Sequence, residues 1–126
     1  MFLFNIGEPS HQFRQVIERA TRYIEAGADC IFVPGVGDPA IIARLVQEIH
    51  APINILANPG VPTTKELHAL GVKRVSTGSG PMRATLALIR QIADELLTDG
   101  SYTRFTTDSI PYNEVNALFQ KTGVRE

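Results

Sequence analysis

Apolar residues recur every three or four positions in several stretches, and this spacing predicts amphipathic helices. The first such stretch follows Ser10, a suitable N-cap, and ends at Gly27, a residue typical of a left-handed helix terminus. The second opens with Asp38-Pro39, an N-cap followed by a first-turn proline. The third opens with Thr63 and Glu66, which have the spacing of a capping box. These signals predict three helices with defined starts.

The longest apolar stripe predicts a helix from about Pro81 to Asp99, closed by Gly100. We expect its inward face to consist of Leu86, Ile89, Ala93, Leu96 and Leu97. A further short helix is predicted around residues 113–120, within a C-terminal helical tail over residues 106–126.

Short apolar runs lie between the helices and predict three strands, at residues 30–33, 53–57 and 72–77. Their continuous apolar character is typical of strands covered on both faces. Strands separated by helices imply right-handed parallel crossovers. The predicted fold class is therefore α/β, with a parallel sheet, and residues 1–126 are predicted to form a single unit. Three strands are few for a closed domain, since a (β/α)₈ barrel needs roughly 250 residues.

Composition narrows the function classes. The formal net charge is -1 and charges of both signs are interspersed, so we expect no nucleic-acid partner and no membrane partner. The lone cysteine, Cys30, lies in an apolar run and is expected to be buried, which agrees with a cytoplasmic protein. Asp38 is expected to be a cap, and His11, His50 and His68 to be solvated. We predict no catalytic residue and no metal ligand in this sequence.

Small residues follow each predicted strand, where parallel α/β folds bind their ligands. The substrate-binding candidates are Gly35 after the first strand, Asn58 after the second, and Ser79 with Gly80 after the third. Asn58 either orients a substrate carboxylate or simply forms a turn with the following Pro-Gly. Ser79 and Gly80 either bind an anion at the start of the long helix or only make the turn and cap it.

Three segments resemble the isocitrate lyase and phosphoenolpyruvate mutase superfamily in their order and spacing. Residues 26–34, Ala-Gly-Ala-Asp-Cys-Ile-Phe-Val-Pro, resemble its sixth-strand region. Residues 52–58, Pro-Ile-Asn-Ile-Leu-Ala-Asn, resemble the seventh strand, and residues 72–83 resemble the eighth strand with the start of the last helix. The likeness runs from about Ser10 to Phe119. It implies a partial (β/α)₈ (TIM) barrel comprising strands 6–8.

The resemblance implies a magnesium-dependent lyase or mutase that acts on C–C or P–C bonds of small oxo- or hydroxycarboxylates. Of the substrate-pocket residues of the family, the resemblance identifies one in this sequence: Asn58, which matches the asparagine at the end of a strand. Pro34-Gly35 stands where methylisocitrate lyases have a glutamate and mutases often a histidine, and this departure points to the less characterised, phosphonomutase-like branch of the family. The family's metal-binding acidic residues, its Lys-Lys-Cys-Gly-His loop and its carboxylate-binding arginine belong to earlier segments that this sequence is expected to lack.

Two functions stay open at this point. The chain is either the C-terminal portion of such an enzyme, inactive alone and without bound Mg²⁺, or a non-catalytic α/β ligand-binding or assembly module on the same scaffold. In the superfamily the final helix is commonly exchanged between subunits. The resemblance therefore implies a homo-oligomer formed through the last helices.

Overall fold

A computed structural model describes residues 9–120 of the chain. Helices and strands alternate as far as a long fourth helix, and two short helices follow it. The elements are α1 (Pro9–Glu25), β1 (Ile31–Val33), α2 (Pro39–Glu48), β2 (Ile53–Leu56), α3 (Thr64–Ala69), β3 (Arg74–Ser76), α4 (Gly80–Thr98), α5 (Thr103–Thr107) and α6 (Tyr112–Gln120). Among the described residues, none of the helices is long and apolar enough to cross a lipid bilayer.

The helix ends are set by capping side chains and by glycines that lie close to them in the sequence. Asp38 caps α2, because its Oδ1 accepts from the backbone N–H groups of Ala40 at 2.7 Å and Ile41 at 3.3 Å. Gly27, with φ +98°, follows the end of α1 as predicted. The N-cap prediction for Ser10 is wrong, since α1 begins at Pro9 and Ser10 lies inside the helix.

The predicted capping box at the start of α3 is confirmed. The backbone N–H of Thr63 donates to Glu66 Oε2 at 2.7 Å, and the backbone N–H of Glu66 donates to Thr63 Oγ1 at 3.3 Å. The Thr63 hydroxyl also donates to Glu66 Oε2, and this bond, together with the one from the Thr63 backbone N–H, holds the pKa of the Glu66 carboxyl below its ordinary value. The start of α3 is thereby fixed next to the loop that follows β2.

The three strands form one parallel sheet in the order β1-β2-β3. Ile31 pairs with Ile53 and Phe32 with Asn54, while Asn54 pairs in turn with Arg74. Each strand is one to three residues shorter than the apolar run that predicted it. The predicted parallel sheet is confirmed.

The helix-facing side of this sheet holds the core. Among the residues that the structure describes, twelve apolar side chains are buried, and five of the largest are almost wholly excluded from solvent: Ile42, Leu45, Ile53, Ile55 and Leu67. The opposite face is less covered, since Phe32 in the middle of β1 is 50% exposed. The expectation that every strand is covered on both faces is therefore wrong for β1. Cys30, just before that strand, is half-buried rather than buried.

The chain divides into two compact units, Met1–Pro81 and Met82–Glu126. The first contains the whole sheet and every residue of the buried core. The single unit over residues 1–126 stays a prediction. Of the predicted tail over residues 106–126, the last six residues lie outside the described part of the chain.

The helices of the second unit have apolar faces without buried side chains. No residue of α4, α5 or α6 is buried in the described chain. Leu86 and Ile89 are each 55% exposed, and Leu97 is 85% exposed. The predicted inward face of α4 therefore exists as an apolar stripe that this chain leaves open. Helix α5 was not predicted, because Thr103–Thr107 is short and has no apolar repeat.

Candidate functional site

Three loops follow the carboxyl ends of the strands and meet at one edge of the sheet. The first loop contacts the second at Gly37, where an added Cβ would lie 3.6 Å from the Gly60 carbonyl oxygen and 3.6 Å from Val61 Cγ2. The second strand's end contacts the third loop, since a Cβ on Gly78 would lie 3.1 Å from Leu56 Cδ1. The loops thus pack closely through glycines, which have no Cβ to keep them apart.

Asn58 lies in a tight turn at this edge. Its backbone carbonyl accepts from the Val61 N–H at 3.1 Å, and Gly60 between them has φ +83°. Proline at the second position and a left-handed glycine at the third are typical of a type II turn. The turn uses only the backbone of Asn58. Its carboxamide is exposed and makes no hydrogen bond within residues 9–120, so it is available to a ligand.

The other predicted site residues lie at the same edge. Gly35 follows β1 in a turn with φ +84°, and Gly80 is the first residue of α4. Ser79, directly before α4, is exposed, and Gly80 N–H donates to the Thr77 carbonyl at 3.0 Å. The loops that carry Gly35, Asn58 and Ser79 are therefore neighbours, although the four residues make no direct hydrogen bonds with one another in the described chain. Their role in substrate binding stays a prediction.

A polar group on the sheet itself was not predicted from the sequence. Ile53, Ile55 and Val75 contact the core on the helix side, so alternation along each strand turns Asn54, Arg74 and Ser76 to the opposite face. In a closed barrel this is the face that lines the interior. Asn54 Nδ2 donates to Ser76 Oγ at 3.1 Å. Asn54 was visible in the sequence as a polar residue inside an apolar run, but its pairing with Ser76 depends on the register of the strands.

The second polar atom of Asn54 has no partner. Asn54 is 2% exposed, and its Oδ1 is buried without a hydrogen bond among the described residues. Such an atom costs about 1–3 kcal/mol relative to a satisfied one. Packing alone would favour an apolar residue here, so the cost itself points to a role for the carboxamide.

A separate cavity lies within the second unit, between α4 and α5. It has a volume of about 510 Å³ and is lined by Gln91, Asp94, Glu95, Thr98, Asp99, Thr103 and Arg104. Glu95 accepts from Ser101 Oγ at 2.6 Å and from the backbone N–H groups of Thr103 and Arg104 at 2.9 and 3.1 Å. The Ser101 hydroxyl is the main cause that holds the pKa of the Glu95 carboxyl below its ordinary value. Its carboxylate therefore caps α5.

The described residues do not bring metal-ligating side chains together. Within residues 9–120, no three His, Cys, Asp or Glu side chains are grouped so that they could hold a metal ion. Asp38, in the loop between β1 and α2, uses its carboxylate to cap α2. The donors present in the described part of the chain do not fit a magnesium ion.

The helix–strand order, the parallel sheet and the loops at its carboxyl edge are those of part of a (β/α)₈ barrel. The sequence profile described as phosphoenolpyruvate phosphomutase matches residues 1–97. The chain belongs to this family, within the isocitrate lyase and phosphoenolpyruvate mutase superfamily, which confirms the resemblance found in the sequence.

Three relatives place the chain within the family. An uncharacterised protein of Mycobacterium tuberculosis (strain ATCC 25618 / H37Rv) is 44% identical over 101 residues, which cover 80% of this chain and 37% of that protein. The oxaloacetate decarboxylase of Pseudomonas fluorescens (strain SBW25) is 32% identical over 106 residues, covering 82% and 35% of the two chains. A crystal structure from Burkholderia cenocepacia J2315, provisionally described as a lyase/mutase, superposes with a TM-score of 0.79 at 34% identity, covering 86% and 39%. The chain thus spans little more than a third of the length of these relatives.

Proposed function

We propose that this chain supplies the last three strand ends of a carboxylate-binding pocket in a lyase or mutase acting on small oxo- or hydroxycarboxylates. One observation carries the proposal: the free carboxamide of Asn58 is held by a backbone turn at the edge where the three loops meet. A neutral amide can donate to a substrate carboxylate without a competing charge. Small residues around it leave room for a compact ligand.

The bond that reacts is a C–C or P–C bond. The 32% identity to an oxaloacetate decarboxylase supports C–C cleavage of an oxocarboxylate, and the family's description supports P–C chemistry. We propose that Mg²⁺ serves the complete family enzyme as a Lewis acid and does not bind to this chain alone. On this proposal the chain by itself binds a carboxylate but is catalytically inactive.

The first test measures pyruvate release from oxaloacetate by the purified protein with Mg²⁺. We expect no release above the uncatalysed rate, because the described residues include no group of side chains that could hold a metal ion. Turnover that a chelator abolishes and further purification retains would contradict the proposed inactivity.

The second test measures oxalate binding by calorimetry in the Asn58→Ala variant. Loss of one hydrogen bond to a charged group should weaken binding by roughly 1.5–3 kcal/mol and change thermal stability little. Asn116→Ala, an exposed asparagine on α6, is the matched control and should bind as the parent does. Unchanged binding with a large stability loss would make Asn58 a structural turn residue. The non-catalytic module would be favoured if oxalate does not bind at all.

We also propose that the protein is a cytoplasmic homo-oligomer associated through its last helices. Support comes from the open apolar stripes of α4 and α6, where Leu97 is 85% and Leu118 59% exposed. Burial of apolar area stabilises association by roughly 25 cal/mol per Å². Sedimentation velocity at micromolar concentration should therefore show a dimer or larger species. A well-folded, strictly monomeric protein would rule this association out.

A further inference from the structure

We propose that the Ser76 hydroxyl is an oxyanion-binding donor of this pocket and that Asn54 is the positioning residue that directs it. The inference rests on the proposed function, because it assigns the hydroxyl to the same carboxylate ligand. Ser76 and Asn54 would form the base of the proposed pocket, beneath the strand-end loops. Ser76 is the last residue of β3, one position before the third loop, and is half-buried.

The hydrogen bond between Asn54 and Ser76 leaves the hydroxyl hydrogen of Ser76 without an acceptor among the described residues. A serine hydroxyl has one hydrogen to donate and two lone pairs to accept with. Ser76 Oγ accepts from Asn54 Nδ2 at 3.1 Å, and no described residue accepts the Ser76 hydrogen. The donor is therefore free. Since ligands of parallel barrels bind at the carboxyl ends of strands, the free hydrogen is available where a substrate oxygen arrives.

The carboxamide of Asn54 can pair with the Ser76 hydroxyl in two ways, and an anionic ligand favours the one in which Ser76 donates to the ligand. Rotation of the amide by half a turn would present Oδ1 to Ser76, and the hydroxyl would then donate to Asn54 rather than to a ligand. A carboxylate oxygen can only accept, so its arrival favours the state in which Asn54 donates to Ser76 and Ser76 donates to the ligand.

A cation on the same sheet face adds a second, independent observation. Arg74 pairs with Asn54 in the register and is two residues from Ser76, so the three side chains share one face. The two ion pairs found in the described chain are Arg14–Glu18 and Arg44–Glu48, and neither includes Arg74. An exposed guanidinium without a carboxylate partner makes the local potential positive, which favours an anionic ligand.

The test uses oxalate in the millimolar range as the probe and follows the Asn54 side-chain amide by ¹⁵N NMR together with calorimetry. In the parent protein oxalate should shift the Asn54 amide signals. Ser76→Ala should raise the Kd for oxalate about tenfold or more, as expected for one lost charge-assisted hydrogen bond. Ser76→Thr keeps the hydroxyl and should restore binding. Ser109→Ala, an exposed serine in the second unit, is the matched control and should bind like the parent.

Asn54→Leu separates positioning from structure. A purely structural Asn54 would change stability and leave affinity alone, whereas we expect the Kd for oxalate to rise severalfold while the melting temperature stays equal or increases. If Ser76→Ala does not fold, the affinity of Asn54→Leu for oxalate still tests whether the Asn54–Ser76 pair binds the anion. Parent-like binding by Ser76→Ala, or by Asn54→Leu, overturns the inference. If Asn58→Ala alone weakens binding, the proposed function stands without Ser76; if the parent binds no oxalate, both fall.

Discussion

The two units of the chain contain amphipathic helices of similar quality but differ completely in burial. In the first unit α2 turns Ile42 and Leu45 towards the sheet, and both are wholly buried. In the second unit α4 carries an equally regular stripe, and Leu86, Ile89 and Leu97 are mostly exposed. The difference shows that an apolar stripe encodes a helix, whereas burial requires a sheet or another surface beside it.

The largest effect is expected from the same substitution made in each unit. Leu45→Ala removes a side chain with no exposed surface and should lower the free energy of unfolding by about 2–5 kcal/mol. Leu97→Ala removes a side chain that is 85% exposed in the single chain and should change it by less than about 0.5 kcal/mol when the protein is too dilute for the proposed association through α4 and α6. Urea unfolding followed by circular dichroism measures both. A loss at Leu97 comparable to that at Leu45 would show that another surface covers α4 in solution.

A smaller effect is expected at the glycines that end a helix in each unit. Gly71 has φ +95°, and an added Cβ would lie only 2.8 Å from Val46 Cγ1. Gly100 has φ +64° with nothing within 4 Å. Gly100→Ala should therefore cost about 1–2 kcal/mol, the strain of a left-handed residue, and Gly71→Ala should cost more because Val46 must also move. Equal melting temperatures for the two variants would contradict this packing difference.

The smallest effect concerns the caps, and it depends on pH. Glu95 holds α5 in the second unit, and its pKa lies below the ordinary value of 4.5, mainly because of the Ser101 hydroxyl. A lowered pKa in the folded state means that the stabilisation is complete above the ordinary pKa and is lost as pH falls through the folded value. Amide exchange at Thr103 and Arg104 should therefore accelerate, relative to amides elsewhere in the chain, on acidification below about pH 4.5.

The Glu95→Gln variant is the control for this pH effect. It lacks the titrating group, so its relative exchange at Thr103 and Arg104 should be faster than in the parent at neutral pH and should show no further change on acidification. A parent protein whose α5 amides exchange independently of this titration would show that Glu95 does not hold the helix.

Features set by neighbouring residues were predictable from the sequence. The Thr63–Glu66 capping box and the Asp38-Pro39 helix start were read correctly, because each depends on side chains within one helical turn. The exposure of Phe32 was not predictable from its apolar run, because burial on that face requires more strands than the three described.

In the candidate site, too, some residues were predictable from the sequence and others were not. Gly35, Asn58, Ser79 and Gly80 were recognisable as small residues after strands, and the structure places their loops at one edge of the sheet. The Asn54–Ser76 pair was missed, because residues 22 positions apart become neighbours only through the parallel register. A polar residue inside an apolar strand was the available signal, and it indicates a barrel-facing position.

The sequential strand order has a consequence for how the protein is made. Ile31 pairs with Ile53 and Asn54 with Arg74, so each new strand joins a neighbour that left the ribosome only about twenty residues earlier. Closing loops of that length is entropically inexpensive, and the cost grows only with the logarithm of their length. The sheet can therefore assemble in the order of synthesis, one strand and helix at a time. Each added strand covers the open edge of its predecessor and creates the edge that its successor will use.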